Sequence, residues 1–229
     1  MIALDNLTLE NRDFYLSGIS LEVARGEIYF LLNHLEQGND FLFRTLSGFQ
    51  PAGSGEIAYD GVRLLGDARP QSAVFIDRIS DRDDFDAEVR LGHWFDFLCA
   101  LGLSREDIYK TLLVGNFHER QLKKMLHELA PETFKLAYLA VCLAADSANV
   151  VINDFIRGSE KSFELKFNKL LLQKKAAGSS ILFLGSDIFY AAEIADRVGF
   201  IKNGRLMFEA AAADLKDMDI KDLYSKFLN

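Results

Sequence analysis

Apolar and polar residues alternate through Ile2–Leu9 and again through Phe14–Val23, the period-two pattern of antiparallel, half-buried strands. Ile28–Leu32 is apolar without interruption, as in a strand covered on both faces. Asp40–Gly48 carries the spacing of a short helix, with Gly48 placed to end it as a C′ residue. Gly53-Ser54-Gly55 turns the chain into Glu56–Tyr59, Asp60-Gly61 predicts a hairpin, and Ser72–Ile76 reads as another buried strand. From Asp77 to about Pro131 the pattern changes: the acidic stretch Asp81–Asp86 leads into helical spacing over Val89–Leu101, and two further helices reach Leu129. Helix Thr133–Ala145, strand Val150–Ile152, helix Ser159–Ala177 stopped by Gly178, strand Ser180–Leu184 and helix Ile188–Asp196 follow. A hairpin over Val198–Phe208 turns at Asn203-Gly204, and two short helices close the chain. Strands that alternate with helices predict a mostly parallel sheet with helices on both faces.

The 229 residues suit one large α/β domain, and at 49% hydrophobic content they can bury a substantial core. A net charge of −8, with no Lys/Arg cluster beyond Lys123-Lys124 and Lys174-Lys175, argues against a nucleic-acid partner. Cys99 and Cys142, both in apolar helical runs, read as buried thiols of a reducing compartment, and with the four histidines they show no metal-ligand spacing. The first residues lack the basic and apolar regions of a signal peptide. The longest apolar run, Leu136–Ala145, is too short to cross a bilayer. These features predict a cytoplasmic protein, held at the membrane if at all through a partner.

Candidate chemistry lies between Gly26 and Gly48. An apolar strand, a loop with one glycine and a helix are the scaffold of a phosphate-binding loop, whose working form is Gly-x-x-x-x-Gly-Lys-Ser/Thr. There, backbone amides cradle phosphate, the Lys reaches the outer phosphates and the hydroxyl holds magnesium. Here Asn33 stands for the first Gly, Gly38 is kept, Asn39 stands for the Lys and Asp40 for the hydroxyl residue. A lost cation and a gained carboxylate would face a triphosphate. At ~4 Å and an effective dielectric of ~20, each such unit-charge interaction is worth about 4 kcal/mol.

The order of elements, with the phrases Gly26-Glu27-Ile28, Thr45-Leu46-Ser47-Gly48-Phe49, Gly53–Gly61 and Ala195–Leu206, resembles the ATP-binding subunits of ABC transporters over nearly the whole chain. The Asp196-Arg197-Val198 … Lys202-Asn203-Gly204-Arg205 hairpin and the tail Asp219–Leu228 look most like subunits serving export-type permeases. The resemblance implies an ABC-ATPase-like P-loop fold in a single domain over residues 1–229. It would have a mostly parallel core sheet, an antiparallel β subdomain and a helical subdomain inserted over 78–132.

In that family two subunits meet head to tail, and ATP lies between one phosphate loop and the partner's signature motif. Matched position by position, Asn153 stands for the magnesium-holding Asp and Asp154 for the Glu that polarises water. Asp154 is a methylene short for a base that needs hydrogen-bond reach of ~2.6–3.2 Å. Ser186 stands for the switch His, and Asp77 for the Gln that senses magnesium and permease. Leu129-Ala130-Pro131-Glu132-Thr133 stands for the signature, where Pro131 deletes an amide and Glu132 brings an anion to a helix N-terminus that should welcome phosphate. Phe14 or Tyr15 could stack on adenine, or belong to a strand core. Phe85, His93 and Trp94 lie in the region that forms the family's groove for a permease, and simple packing accounts for them equally well.

Each substitution also has a plain structural reading. Asn39 or Asp40 can cap the helix after the loop, Pro131 and Glu132 make an ordinary helix start, and Asn153-Asp154 and Ser186-Asp187 are turn and cap residues. Phosphoryl transfer depends on positioning and charge, so the combined losses predict negligible ATP hydrolysis by the chain alone. The leading expectation is a non-hydrolysing structural or regulatory subunit of a membrane transport or export complex. Its partners would be an integral-membrane permease and another cassette subunit, in a homo- or heterodimer. No cofactor is expected, though weak magnesium-independent ATP binding stays open. Two alternatives remain: a slow or partner-dependent ATPase using Asp154, with His34 or Arg44 as substitute cation, and a soluble interaction scaffold.

Overall fold

Strands β1 (Ile2–Glu10) and β2 (Tyr15–Val23) pair antiparallel with alternating burial, as their period-two pattern requires. In a computed structural model, residues 1–10, 14–33, 36–65, 68–78, 88–114, 117–145 and 147–215 are described. The acidic stretch Asp81–Asp86 with Phe85, His34 and the closing tail fall outside them. Chain contacts divide the protein into two compact units: Met1–Asp77, Ala148–Asp154 and Lys174–Asn229 form one, and Arg78–Ser147 with Phe155–Gln173 the other.

In the first unit, β4 (Ser54–Tyr59) and β5 (Val62–Arg63) complete a four-stranded sheet of order β2-β1-β4-β5. Asp60 and Gly61 both have positive φ, as the tight hairpin turn demands. The larger sheet is built from β3 (Ile28–Asn33), β6 (Ala73–Ile76), β7 (Asn149–Asn153), β8 (Ser180–Gly185), β9 (Arg197–Lys202) and β10 (Arg205–Ala211). Its order is β10-β9-β3-β8-β7-β6, parallel from β9 to β6, with β10 antiparallel after a turn at Asn203-Gly204. This is the expected mostly parallel core with an antiparallel β sheet. Strands β3, β7 and β8 are buried along their full length, which explains their unbroken apolar runs.

Helix α1 spans Glu36–Leu46, beginning earlier than the sequence pattern suggested and winding through Gly38. It ends at Gly48 (φ 75°), where the Phe49 amide donates to the Arg44 carbonyl. The short helices α6 (Ile188–Ile194) and α7 (Ala212–Leu215) also belong to this unit.

The amino edge of the large sheet is closed by a charged network. Arg197 donates to Glu27 (3.1 Å) and to Glu209 (3.0 Å), and its guanidinium lies 4.8 Å from the ring centroid of Tyr29. The fully buried Tyr29 hydroxyl donates to Glu209 at 2.7 Å; burial first, and then that carboxylate, raise its pKa. Asp196 accepts from the Ile28 amide (2.8 Å) and pairs with Lys175 (2.5 Å).

The second unit holds α2 (Leu91–Ala100), α3 (Arg105–Val114), two 3-10 turns (Glu119–Lys123 and Leu126–Glu128), α4 (Pro131–Ala144) and most of α5 (Lys161–Ala176). Its core includes Leu91, Phe95, Ile108, Leu112 and Phe134, together with Phe155, Phe163 and Phe167, whose rings lie within 6.4 Å of one another centre to centre. Cys142 belongs here as a free thiol, pushed by burial up to about 12.

Candidate functional site

Ligands of open parallel sheets bind beyond the carboxyl ends of the strands, and most of the residues that the sequence analysis matched to phosphate and magnesium positions gather there. Asn33 ends β3, Asn153 ends β7, Asp77 follows β6 and Ser186 follows β8, while Gly38, Asn39 and Asp40 lie in α1. These positions share one edge because the parallel register of β3, β8, β7 and β6 brings their ends level.

At the centre is Asn153, 1% exposed. Its Nδ2 donates to Asp40 Oδ1 at 2.9 Å and to Asp77 Oδ1 at 2.7 Å. Two carboxylates thus converge on one amide nitrogen, while the buried Asn153 Oδ1 has no hydrogen-bond partner among the described residues. Asn39, 3% exposed, likewise buries an Oδ1 with no such partner. The expectation that Asn39 or Asp40 caps the helix fails: both lie inside α1, and Asp40 bonds across to β7 instead. The pattern Glu36-Gln37-Gly38-Asn39 looks like loop because Gly costs helix stability, yet here the helix runs through it.

Phe14 supplies the second feature. A Cβ placed on Gly38 would come within 2.3 Å of the Phe14 ring and 2.6 Å of Asn33 Nδ2. The Phe14 ring, 5% exposed, therefore lies against the first turn of α1, and it meets Phe41 edge-on at 6.2 Å. Phe14 is core there, the simpler of its two readings, whereas Tyr15 is half exposed on β2. Of the two suggested substitute cations, Arg44 is exposed in the last turn of α1 and His34 is not among the described residues.

Asp154 follows Asn153 in the left-handed region (φ 46°), which Asp tolerates better than most residues. Its amide donates to the Leu184 carbonyl at 2.9 Å. Ser186 is half-buried, and Asp187 caps α6 by accepting from the amides of Phe189 (2.9 Å) and Tyr190 (3.0 Å).

In the second unit, Leu129 is buried, Ala130 is the N-cap of α4 and Pro131 is its first residue, as an ordinary helix start requires. Ala130 offers no capping side chain. Glu132 accepts from the Glu160 amide at 3.2 Å, and Thr133 Oγ1 accepts from Gln121 at 3.4 Å, so both side chains turn to their own unit. His93 is exposed on α2, while Trp94 is half-buried and stacks on Phe95 at 5.7 Å between centroids. Phe97 and Leu101, 61% and 68% exposed, continue the line of His93 at helical spacing. Sequence reading passed over both, because apolar residues in an apolar helix give no sign of which face is bare.

No protein-family model matches the chain. It is 23% identical over 205 residues to an ABC transporter ATP-binding protein of Methanosarcina acetivorans, matching 86% of this chain and 33% of that protein. The methionine import ATP-binding protein MetN of Carboxydothermus hydrogenoformans is 22% identical, over 86% of this chain and 61% of its own length. The branched-chain amino acid transport ATP-binding protein BraG of Pseudomonas aeruginosa is 24% identical, over 91% of this chain and 92% of its own length. The chain thus spans a third of the first relative and about three fifths of the second. Among solved structures, an ATP-binding subunit of an ABC transporter superposes with a TM-score of 0.83 at 17% identity, covering 99% of this chain and 98% of its own. A bacterial ABC transporter cassette solved as a dimer superposes at 0.74 with 15% identity, over 93% of this chain and 99% of its own. The chain has the ATP-binding-cassette fold, and these relatives and structural neighbours are cassettes or ATP-binding proteins of ABC transporters.

Proposed function

We propose that the chain is a non-hydrolysing, structural or regulatory ATP-binding-subunit-like component of a membrane transport or export complex. One observation carries this reading: the Asn153 amide donates to both Asp40 and Asp77 at the carboxyl edge of the sheet, the positions that the resemblance matches to magnesium and phosphate contacts. Magnesium–ATP does not fit these residues. The phosphate-gripping Lys is replaced by buried Asn39, and two acids face the space of a polyanion. No hydrolytic step is therefore assigned to Asp154.

The remaining roles are positional. The 78–132 segment, within a single cassette domain, would carry the surface for a permease, with the exposed stripe of His93 and Phe97 on α2 and Leu101 just after it as its apolar contact. A second cassette subunit would complete a dimer. Among the described residues no helix is long and apolar enough to cross a membrane, so attachment at the inner membrane face would come through the permease.

The test is magnesium-dependent phosphate release by the purified chain, alone and with a co-purified permease and second cassette. The reading predicts no release attributable to this chain and no change on Asp154→Ala. Turnover abolished by Asp154→Ala would overturn it in favour of a partner-dependent ATPase.

A further inference from the structure

We propose that a cavity between α1 and the antiparallel sheet binds a small zwitterion, an α-amino acid with an aliphatic side chain. The cavity, about 280 Å³ in volume, lies between the last turn of α1 and the β4–β5 hairpin with the two residues that follow it. All of it belongs to the first unit, and none of its lining residues is one that the resemblance matches to phosphate, magnesium or adenine. Ala52, Ile57 and Leu64 give it apolar walls, and Leu65, 73% exposed, adds a large apolar side chain in contact with water. Pockets for drug-sized molecules run from ~300 to ~1,000 Å³, so this one admits something smaller, about the size of one amino acid.

The charges fix the class of ligand. Arg63 and Glu56 both line the cavity and pair with each other at 2.6 Å, from the neighbouring strands β5 and β4. Both side chains are exposed, and an ion pair in that setting stabilises a fold little. The pair can therefore open at small cost to a ligand that carries both signs. The guanidinium then holds a carboxylate through two parallel hydrogen bonds, and the Glu56 carboxylate holds an ammonium. An α-amino acid bears those two groups on a single carbon, which matches a cation and an anion already within hydrogen-bond reach of each other. A ligand of one sign would leave one member of the pair unmatched, and a neutral one would gain nothing from either. Thr45, 1% exposed, adds no donor, because its hydroxyl donates to the Phe41 carbonyl at 3.0 Å. The aliphatic side chain packs on Ile57 and Leu64 and takes Leu65 out of water, which supplies the remaining affinity.

The proposed site is independent of whether the chain hydrolyses ATP. The full chain is titrated with leucine by calorimetry and followed by thermal unfolding. One leucine per chain is expected, with melting raised by about 3–6 °C at ~10 times the dissociation constant. N-acetyl-leucine lacks the ammonium and leucinamide the carboxylate, and each is expected to bind at least ~10-fold more weakly. Arg63→Gln and Glu56→Gln, at exposed positions, are expected to weaken leucine by a similar factor, and Leu65→Ser by ~5-fold. Arg205→Gln, exposed on β10 of the other sheet, is expected to leave binding unchanged. Three results would each overturn the proposal: no heat or stabilisation at ~10 mM leucine, equal affinity for leucine and its two derivatives, or wild-type binding by both Arg63→Gln and Glu56→Gln.

Discussion

The two ends of the same parallel sheet satisfy their polar groups in opposite ways. At the amino edge, Arg197 ties Glu27, Glu209 and the Tyr29 ring together, and Asp196 holds the Ile28 amide and Lys175. Each of the three acids there meets a cation, Arg197 or Lys175, and Asp196 a backbone amide as well, so their charge is largely compensated within the protein. At the carboxyl edge, Asp40 and Asp77 share the neutral amide of Asn153, and two buried amide oxygens lack a partner among the described residues. The amino edge is built to hold strands together. The carboxyl edge instead joins two carboxylates through one neutral amide, the arrangement on which the proposed loss of polyphosphate binding rests.

The largest effect should follow Arg197→Ala, which strips the amino edge of its cation. After discounting for partial exposure, a cost of about 2 kcal/mol is expected, read as a melting temperature lowered by roughly 4–8 °C. Tyr29→Phe removes the hydroxyl that bonds Glu209, with an expected loss of about 1.5 kcal/mol in denaturant unfolding at neutral pH. The raised pKa of Tyr29 also gives this residue a pH signature. The folded hydroxyl holds its proton while the unfolded one releases it near pH ~10. Its stabilising contribution is thus complete below that value and declines as pH rises above it. Wild type should lose stability more steeply than Tyr29→Phe between neutral pH and pH ~11, and parallel profiles would contradict the assignment.

The carboxyl edge should respond less. Asn153→Leu breaks two hydrogen bonds to carboxylates but also removes a buried oxygen without a partner, for a net cost of about 1 kcal/mol in urea unfolding. A loss exceeding that of Arg197→Ala would break the comparison, because the edge would then be as structurally essential as its opposite. Asp77→Asn, exposed and freed of a like-charged neighbour, should change stability by no more than ~0.5 kcal/mol in the same measurement.

Much of this contrast was legible beforehand. Unbroken apolar runs marked β3, β7 and β8, and Asp60-Gly61 and Asn203-Gly204 marked both hairpins, because buried strands and tight turns have local signatures. The residues Asp40, Asp77 and Asn153 could each be picked out by comparison with a working phosphate site. Their joining by one amide could not, since it depends on strand register between segments 76 and 113 positions apart in the chain. The start of α1 at Glu36 was hidden for a related reason: local propensity around Gly38 favours a loop, and packing of Phe14 against that turn prevails.

Nucleotide binding by calorimetry, paired with thermal unfolding in ATP with and without magnesium, probes the charge argument most directly. The account predicts no measurable heat with magnesium–ATP and an unchanged melting temperature. A saturable isotherm, with stabilisation of about 2.7 kcal/mol at 100 times the dissociation constant, would contradict it.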